Sequence, residues 1–366
     1  MSIQRKLQNL DQELIRLMKE RIGLLTNADI LPTETQVETV KPLLEQAGIS
    51  EALWQTIVMG CTAAVPDTQP QGTKTHARKV TLVGGHGMMG RFFKERLIQA
   101  QHDVTVLERD DWNNAQQLLA DADLVLVCVP LKATVDVIAK ITPYLSADTA
   151  IADIASIKTP VVEAMLAHHA GPVMGLHPMF GPGVHTFAAQ KVVVCHGRRY
   201  DAFRWLLDII EHEGGQLITC SAKEHDEMMI AVQAIRHFST LSLGVFLAKE
   251  GVDLNRALEL ATPIYRMEVN LISRLLTQDV SLYTDIMTLS DARCDALHRL
   301  ADTFADMADL LSRKDTRALA AQVTAARQAF CKNPDQIMQE TNYLISTVST
   351  FVAAKDRESQ AQYACA

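Results

Sequence analysis

Lys79-Val-Thr-Leu-Val-Gly-Gly-His-Gly-Met-Met-Gly90 is the stretch on which the reading of this chain turns. Val80 to Val83 is a short apolar run of strand type. It breaks into glycines that open directly onto a helical pattern, Arg91-Phe-Phe-Lys-Glu-Arg-Leu97. The spacing Gly85-x-Gly87-x-x-Gly90 is what a dinucleotide requires. The first glycine permits a tight turn, the second lets backbone approach a pyrophosphate, and the third lets helix and strand pack closely. The phosphates then sit at the helix N-terminus. Alone the spacing is weak, because glycines also punctuate ordinary turns, but the flanks agree with it. A second apolar strand, Val104-Thr-Val-Leu107, ends at Glu108, in the right window for a carboxylate that hydrogen-bonds a ribose 2′-hydroxyl. Glu108 would repel a 2′-phosphate, which favours NAD over NADP, and the adjacent Arg109 tempers that preference. The expected cofactor contacts are Gly85, His86, Gly87, Met88, Met89, Gly90, Glu108, Arg109, Val129 and Pro130.

At 366 residues the chain is long enough for two or three domains. Hydrophobic content of 48%, charged content of 21% and a formal net charge of -8 exclude a disordered chain and argue against a nucleic-acid binder. They suit a protein that handles a small molecule in a locally basic pocket. The seven cysteines are scattered, with no Cys-x-x-Cys and no zinc spacing, so reduced thiols in a cytoplasmic protein and no metal are expected. There is no apolar leader, and no uninterrupted apolar stretch approaches the roughly 18 residues of a membrane span, so no membrane partner is expected.

Ahead of the glycine stretch, apolar residues from Ile3 to Leu25 recur at three- and four-residue steps and predict an amphipathic helix. Two further helices are expected over Thr35–Gln46 and Ser50–Cys61. Ala64 to Ala77 is polar, rich in turn formers and aperiodic, and reads as a linker. Beyond Lys79, strands and helices alternate as a parallel sheet with crossover helices requires. Asp123–Pro130 and Ala150–Ile154 are the next strands. Ligands in such sheets sit beyond the carboxyl ends of the strands, which singles out Pro130, Ser156 and Lys158. Lys158 reads either as a solvated lysine at a helix start or as a group at the ligand edge, and its place beyond a strand favours the second.

Next comes Gly171-Pro-Val-Met-Gly-Leu-His177-Pro-Met-Phe-Gly-Pro182. A lone histidine is ordinarily structural. Here glycines and prolines hold it on a stiff loop at a strand end, and imidazole is the natural proton acceptor near neutral pH, so His177 is expected to be catalytic. His86, His168, His169, His185, His196 and His212 lack such a setting and are expected at the surface, with His86, inside the glycine loop, close to the cofactor phosphates. Lys191–Cys195 closes the sheet region. From Ala222 to about Val352 only long helical patterns remain, too apolar to stand alone, so they should pack on one another and on a second copy of the chain. The last residues, from Ala353, are expected to fray.

Together with the glycine loop, the motifs Asp153-Ile-Ala-Ser156-Ile-Lys158, Gly-Leu-His177-Pro-Met-Phe-Gly-Pro, Glu224-His225-Asp226-x₆-Gln233-Ala-x-Arg236-His237-Phe238 and Pro263-Ile-Tyr-Arg266-x₇-Arg274 resemble the prephenate dehydrogenases over about residues 79 to 345. The similarity is strongest to those fused behind a chorismate mutase. Asp11-x-x-Leu14-Ile15-x-Leu17-Met18-x-x-Arg21 resembles the first helix of that small mutase. Residues 27–34, however, lack the lysine and the arginine-glutamate pair of its pattern. The resemblance implies a Rossmann-type α/β domain over 79–221, behind a degenerate mutase-like helical region over 1–62 and a linker over 63–78. An all-helical substrate and dimerisation domain over 222–352 follows, then a tail over 353–366. It further implies NAD-dependent oxidative decarboxylation of prephenate, a dicarboxylate, in a homodimer. His177 would be the base, with Ser156 and Lys158 near nicotinamide and substrate. Arg274 would bind a substrate carboxylate, with His237, Arg266 and Gln233 in the same pocket and Asp226 near its entrance. Mutase activity is expected to be absent. Arogenate and 4-amino-4-deoxyprephenate are alternative substrates that these residues do not separate, and a non-catalytic NAD-binding regulator is the alternative of another class. A β-hydroxyacid dehydrogenase would want a catalytic lysine on a helix of the second domain, and none is evident.

Overall fold

The computed structural model describes residues 2–26, 32–65, 76–181 and 183–364. Most of the expected linker, the segment 27–31 and Pro182 therefore lie outside the described residues. The chain divides into two compact units, Met1–Met228 and Met229–Ala366.

The first unit begins with three helices, α1 (Ile3–Thr26), α2 (Thr33–Ala47) and α3 (Glu51–Ala63). The hydroxyl of Ser50 caps α3 by accepting from the Leu53 amide, while Gly48, at φ +67°, ends α2. Val37, Leu44, Val58 and Cys61 form a small core between α2 and α3. By contrast, α1 buries none of its residues, and Ile3, Leu10 and Leu24 are exposed.

Seven strands follow: β1 (Lys79–Val83), β2 (Asp103–Leu107), β3 (Leu124–Val127), β4 (Ala150–Asp153), β5 (Val173–Pro178), β6 (Lys191–Arg198) and β7 (Gln216–Thr219), in the order β2-β1-β3-β4-β5-β6-β7. Helices α4 (Met88–Gln99), α5 (Ala115–Leu119), α6 (Thr134–Ile141), α7 (Thr159–His168) and α8 (Arg204–His212) are interspersed with them. Each of Leu124 to Val127 and of Ala150 to Ala152 is buried and apolar, as strands covered on both faces require, and β4 ends in the buried carboxylate of Asp153. The sheet splits the core in two. Phe92, Phe93, Phe187 and Trp205 pack on one side, with Phe92 edge-on to Phe187 at 4.9 Å. Leu119, Ile138, Ile141 and Met165 pack on the other. One pairing departs from the expected parallel sheet: β6 runs antiparallel to β5. The described residues between Met179 and Gln190 form no helix, so the helical crossover that parallel pairing uses does not join these two strands.

α9 (Ala222–Met229) passes through a π-helical turn, Ile230–Ile235, into α10 (Arg236–Lys249). The second unit continues with α11 (Leu254–Glu259), α12 (Pro263–Leu276), α13 (Val280–Thr288), α14 (Asp291–Ser312), α15 (Thr316–Phe330) and α16 (Pro334–Ala364). The tail expected to fray from Ala353 is helical, as α16 runs on to Ala364. Grouped by contacts, the first unit reaches to Met228, because residues at the start of α9 bond into the sheet unit, as described below. Finally, the helix Ala222–Lys249 is long and apolar enough to cross a membrane by length and composition. Counting uninterrupted apolar residues missed it, since Gln233, Arg236 and His237 interrupt the run. Only 11% of its most apolar window is buried within this chain.

Candidate active site

β1 and β3 flank the point where strand order reverses, and beyond their carboxyl ends lies a cavity of about 540 Å³. Gly84, Gly87, Glu108, Arg109, Trp112, Val129 and Pro130 are among its lining residues. The left-handed turn out of β1 falls on Gly84, at φ +81°, one residue before the glycine that the spacing singled out. A Cβ on Gly90 would stand 2.6 Å from the Gly84 carbonyl oxygen, and one on Gly85 would stand 2.9 Å from Val106. These two glycines, expected among the cofactor contacts, shape the loop by close packing, and the cavity is lined instead by Gly84 and Gly87. Gly87 does line it; a Cβ there would meet nothing nearer than 3.4 Å.

Met88 opens α4, so the amides of Met88 and Met89 belong to a first turn that has no intrahelical acceptors. The Met88 side chain is exposed and that of Met89 packs on the core, which leaves their backbone as the part a phosphate could use. The His86 amide donates to Glu108 Oε1 at 2.7 Å, and the Glu108 amide donates to Asp111 Oδ2 at 2.9 Å, so the Glu108 carboxylate is held at the cavity wall. A cradle that side chains would fill, an open helix N-terminus and a fixed carboxylate acceptor together fit a dinucleotide.

β5 runs parallel to β4, which places His177 at the same carboxyl edge of the sheet as the glycine loop. His177 is buried, at 4% exposure. Its Nδ1 lies 2.8 Å from His225 Nε2, and His225 Nδ1 lies 2.8 Å from Asp226 Oδ1. Asp226 also accepts from the amides of Lys158 and Thr159, both at 2.8 Å, and so caps α7. Burial works to raise the Asp226 carboxyl, but the hydrogen bonds from His225, Lys158 and Thr159 outweigh it and hold it at about 2. Lys158 is fully buried. Its ammonium donates to Asp153 Oδ2 at 2.5 Å and to the carbonyl of Leu176, the residue before His177, at 2.7 Å. Burial pushes the Asp153 carboxyl above its ordinary range, with Lys158 and the Ala155 amide pulling the other way. Gly175 leaves room for the Lys158 stem, since a Cβ there would meet its Cδ at 3.1 Å.

Lys158, closed off from solvent, has its charge committed to Asp153 and the Leu176 carbonyl and so fixes the backbone at His177. Asp226, expected near a pocket entrance, anchors the start of α7 to α9. Ser156 sits half-buried on the bend between Asp153 and α7.

In the second unit, His237 is buried at the start of α10, with its ring 4.9 Å from that of Tyr283. Burial, aided by Arg236, lowers it to about 4, so the ring is neutral at physiological pH. Gln233 lies in the π-helical turn just before it, a distortion often found at functional positions. Arg274 is exposed in the last turn of α12. Arg266, on the same helix, donates to the Leu258 carbonyl at 3.1 Å and thereby ties down α11.

Sequence reasoning missed His225. It stands inside a quoted motif, but its link to His177 spans 48 positions and has no local signature. His169, expected at the surface, is instead buried, with Nε2 2.7 Å from the Thr149 carbonyl oxygen.

Comparison with known proteins agrees with this arrangement. Residues 95–219 match the model of the prephenate dehydrogenase nucleotide-binding domain, and residues 221–325 match that of the prephenate dehydrogenase dimerization domain. The T-protein of Enterobacter agglomerans is 40% identical over 272 residues, 74% of this chain and 73% of that protein. The T-protein of Haemophilus influenzae is 32% identical over 356 residues, 93% of this chain and 94% of that one. A crystal structure of prephenate dehydrogenase from A. aeolicus, in complex with hydroxyphenyl propionate and NAD+, covers 70% of this chain and 98% of its own, with a TM-score of 0.55 at 16% identity. At that identity the likeness speaks for the fold.

Proposed function

The chain belongs to the prephenate dehydrogenase family, and we propose that it carries out the NAD-dependent oxidative decarboxylation of prephenate to 4-hydroxyphenylpyruvate. The observation that carries this reading is a buried imidazole, His177, at the carboxyl edge of the sheet whose first loop is shaped for a dinucleotide. The amides opening α4 and the Glu108 carboxylate would hold the cofactor's pyrophosphate and ribose. When bound, NAD+ supplies the hydride acceptor. His177 takes the proton of the 4-hydroxyl. Loss of the ring carboxylate as CO2 then leaves an aromatic ring, which makes the reaction strongly downhill. Arg274 holds a substrate carboxylate by paired, charge-assisted hydrogen bonds, a fork that lysine does not reproduce. His237, neutral in the fold, offers a hydrogen bond rather than a charge. A non-catalytic regulator would have no use for such a base and clamp.

The chain acts as a homodimer through its C-terminal helices. Val232, Val245 and Phe246 on the Ala222–Lys249 helix are exposed in the single chain, as a second copy would require. The N-terminal helices lack mutase activity. Arg21 is the one mutase-type arginine in place there, and it donates to the side chain of Gln36 within the helical region.

Rates of NADH production on prephenate, arogenate and 4-amino-4-deoxyprephenate test the reading, and prephenate is expected to give the highest kcat/KM. A preference for the 4-amino compound would move the chain to a specialised pathway, while negligible turnover of all three would remove the activity altogether. The substitution His177→Asn should lower kcat by about 10²–10⁴ with KM roughly kept. Unchanged turnover would deny His177 its role.

A further inference from the structure

His177 belongs to a hydrogen-bonded series with His225 and Asp226, and that series determines which of its nitrogens carries the lone pair. Asp226 is an ionised carboxylate and can only accept, so His225 Nδ1, 2.8 Å away, bears a hydrogen. In a neutral ring the other nitrogen, His225 Nε2, is then an acceptor. His177 Nδ1, 2.8 Å from it, must therefore bear a hydrogen as well. The lone pair of His177 falls on Nε2. We propose that His225 and Asp226 are positioning residues that hold His177 in the one tautomer able to take a proton through Nε2. This rests on the reading of His177 as the base.

The geometry assigns the pair more than packing. Two backbone amides at the start of α7 fix the Asp226 carboxylate, so the series is anchored to the sheet unit at one end and to the reacting imidazole at the other. During the reaction the substrate O–H bond breaks and a His177 Nε2–H bond forms. The hydrogen on Nδ1 stays where it is, and the new positive charge faces an imidazole polarised by a carboxylate. Asp226 orients the series and is not a proton store. Charges near it in this unit include Asp153 and Lys158, which are paired with each other, the Asp153 carboxylate being within electrostatic range of His225, and Glu224 on the same helix as Asp226. The same residues hold the backbone: Lys158 bonds the Leu176 carbonyl next to the base. One carboxylate thus fixes both the ring of His177 and the first turn of the helix that follows Ser156.

The test measures kcat, KM and the pH profile of kcat/KM for the full-length enzyme and for His225→Leu, His225→Gln, Asp226→Asn and His177→Asn. Leucine removes the acceptor, and His225→Leu should lower kcat by ~10²-fold or more with KM for both substrates within about threefold. Its acid limb should move to lower pH, because an imidazole without a linked carboxylate is a weaker base. Glutamine can still accept from His177 Nδ1–H, and His225→Gln should recover at least ~10-fold of that loss. Asp226→Asn should move the acid limb in the same direction. The proposal is overturned if His225→Leu keeps the wild-type rate and profile while His177→Asn does not. It is equally overturned if the rate falls with an unmoved acid limb and no recovery in His225→Gln, the pattern of a merely structural residue. Full turnover by His177→Asn removes the base itself, and this proposal with it. Should a His225 variant fail to fold, the histidine ¹⁵N spectrum of the wild-type protein, with His177 identified by its loss in His177→Asn, reads the tautomer directly. Hydrogen on Nδ1 supports the proposal, and hydrogen on Nε2 overturns it.

Discussion

Two places on one edge of the sheet are built from different materials. The loop between β1 and α4 is made of backbone: a left-handed Gly84, glycines that admit no Cβ, and helix amides, all within twelve residues. The imidazole site at the end of β5 is made of side chains from distant segments, with Lys158 joined to Asp226 across 68 positions and His177 to His225 across 48. A site of the first kind announces itself in the sequence, because steric demands on glycine are local. A site of the second kind shows only its central residue.

The contrast breaks most readily at Lys158. Lys158→Met leaves Asp153 buried and uncompensated, and should cost about 3–5 kcal/mol of stability in denaturant unfolding. Adding Asp153→Asn should recover a good part of it, and a loss below about 1 kcal/mol in the single variant would show that the ion pair does not hold this site together. At the backbone site, Gly90→Ala forces a Cβ against the Gly84 carbonyl and should cost about 1–3 kcal/mol. Gly87→Ala, by contrast, should leave the melting temperature in place and weaken NAD+ binding measured by calorimetry. If the two alanine variants behaved alike, the division between loop-shaping and ligand-facing glycines would be wrong.

Asp226 sharpens the comparison through pH. The unfolded chain protonates it near the ordinary 3.8 and the folded one near 2, so its stabilisation is complete above about 4 and is lost as pH falls through 2. The contribution is at most ~2.5 kcal/mol, and Asp226→Asn should flatten that part of the acid-unfolding curve; an unaltered curve would mean that the carboxylate is not held as described. The smallest effect belongs to Glu108. Glu108→Ala should reduce the preference for NAD+ over NADP+ by about tenfold, ~1.4 kcal/mol, and an unchanged ratio would take cofactor selection away from this carboxylate.

Where the sequence failed, it failed for the same reason. It placed the tight turn at Gly85 because the spacing points there, while the backbone makes the turn at Gly84. It read a parallel sheet, which holds for every pairing but β5 with β6, and the direction of β6 became visible only with the strands side by side. It left His169 at the surface, since a carbonyl at Thr149 that could receive it lies 20 positions away. Nor does anything local to Lys158 reveal that Asp153 and the Leu176 carbonyl bond its ammonium.

By itself the sequence determined the strands and most helices, the dinucleotide loop and the place of His177 at a strand end, all of which follow from short-range hydrophobic periodicity, glycine sterics and side-chain chemistry. Only the tertiary structure decided which groups bond that histidine, which carboxylate Lys158 pairs with and what Asp226 accepts from. Hydrogen bonds and buried charges choose partners by distance in space, and distance along the chain carries no record of that choice.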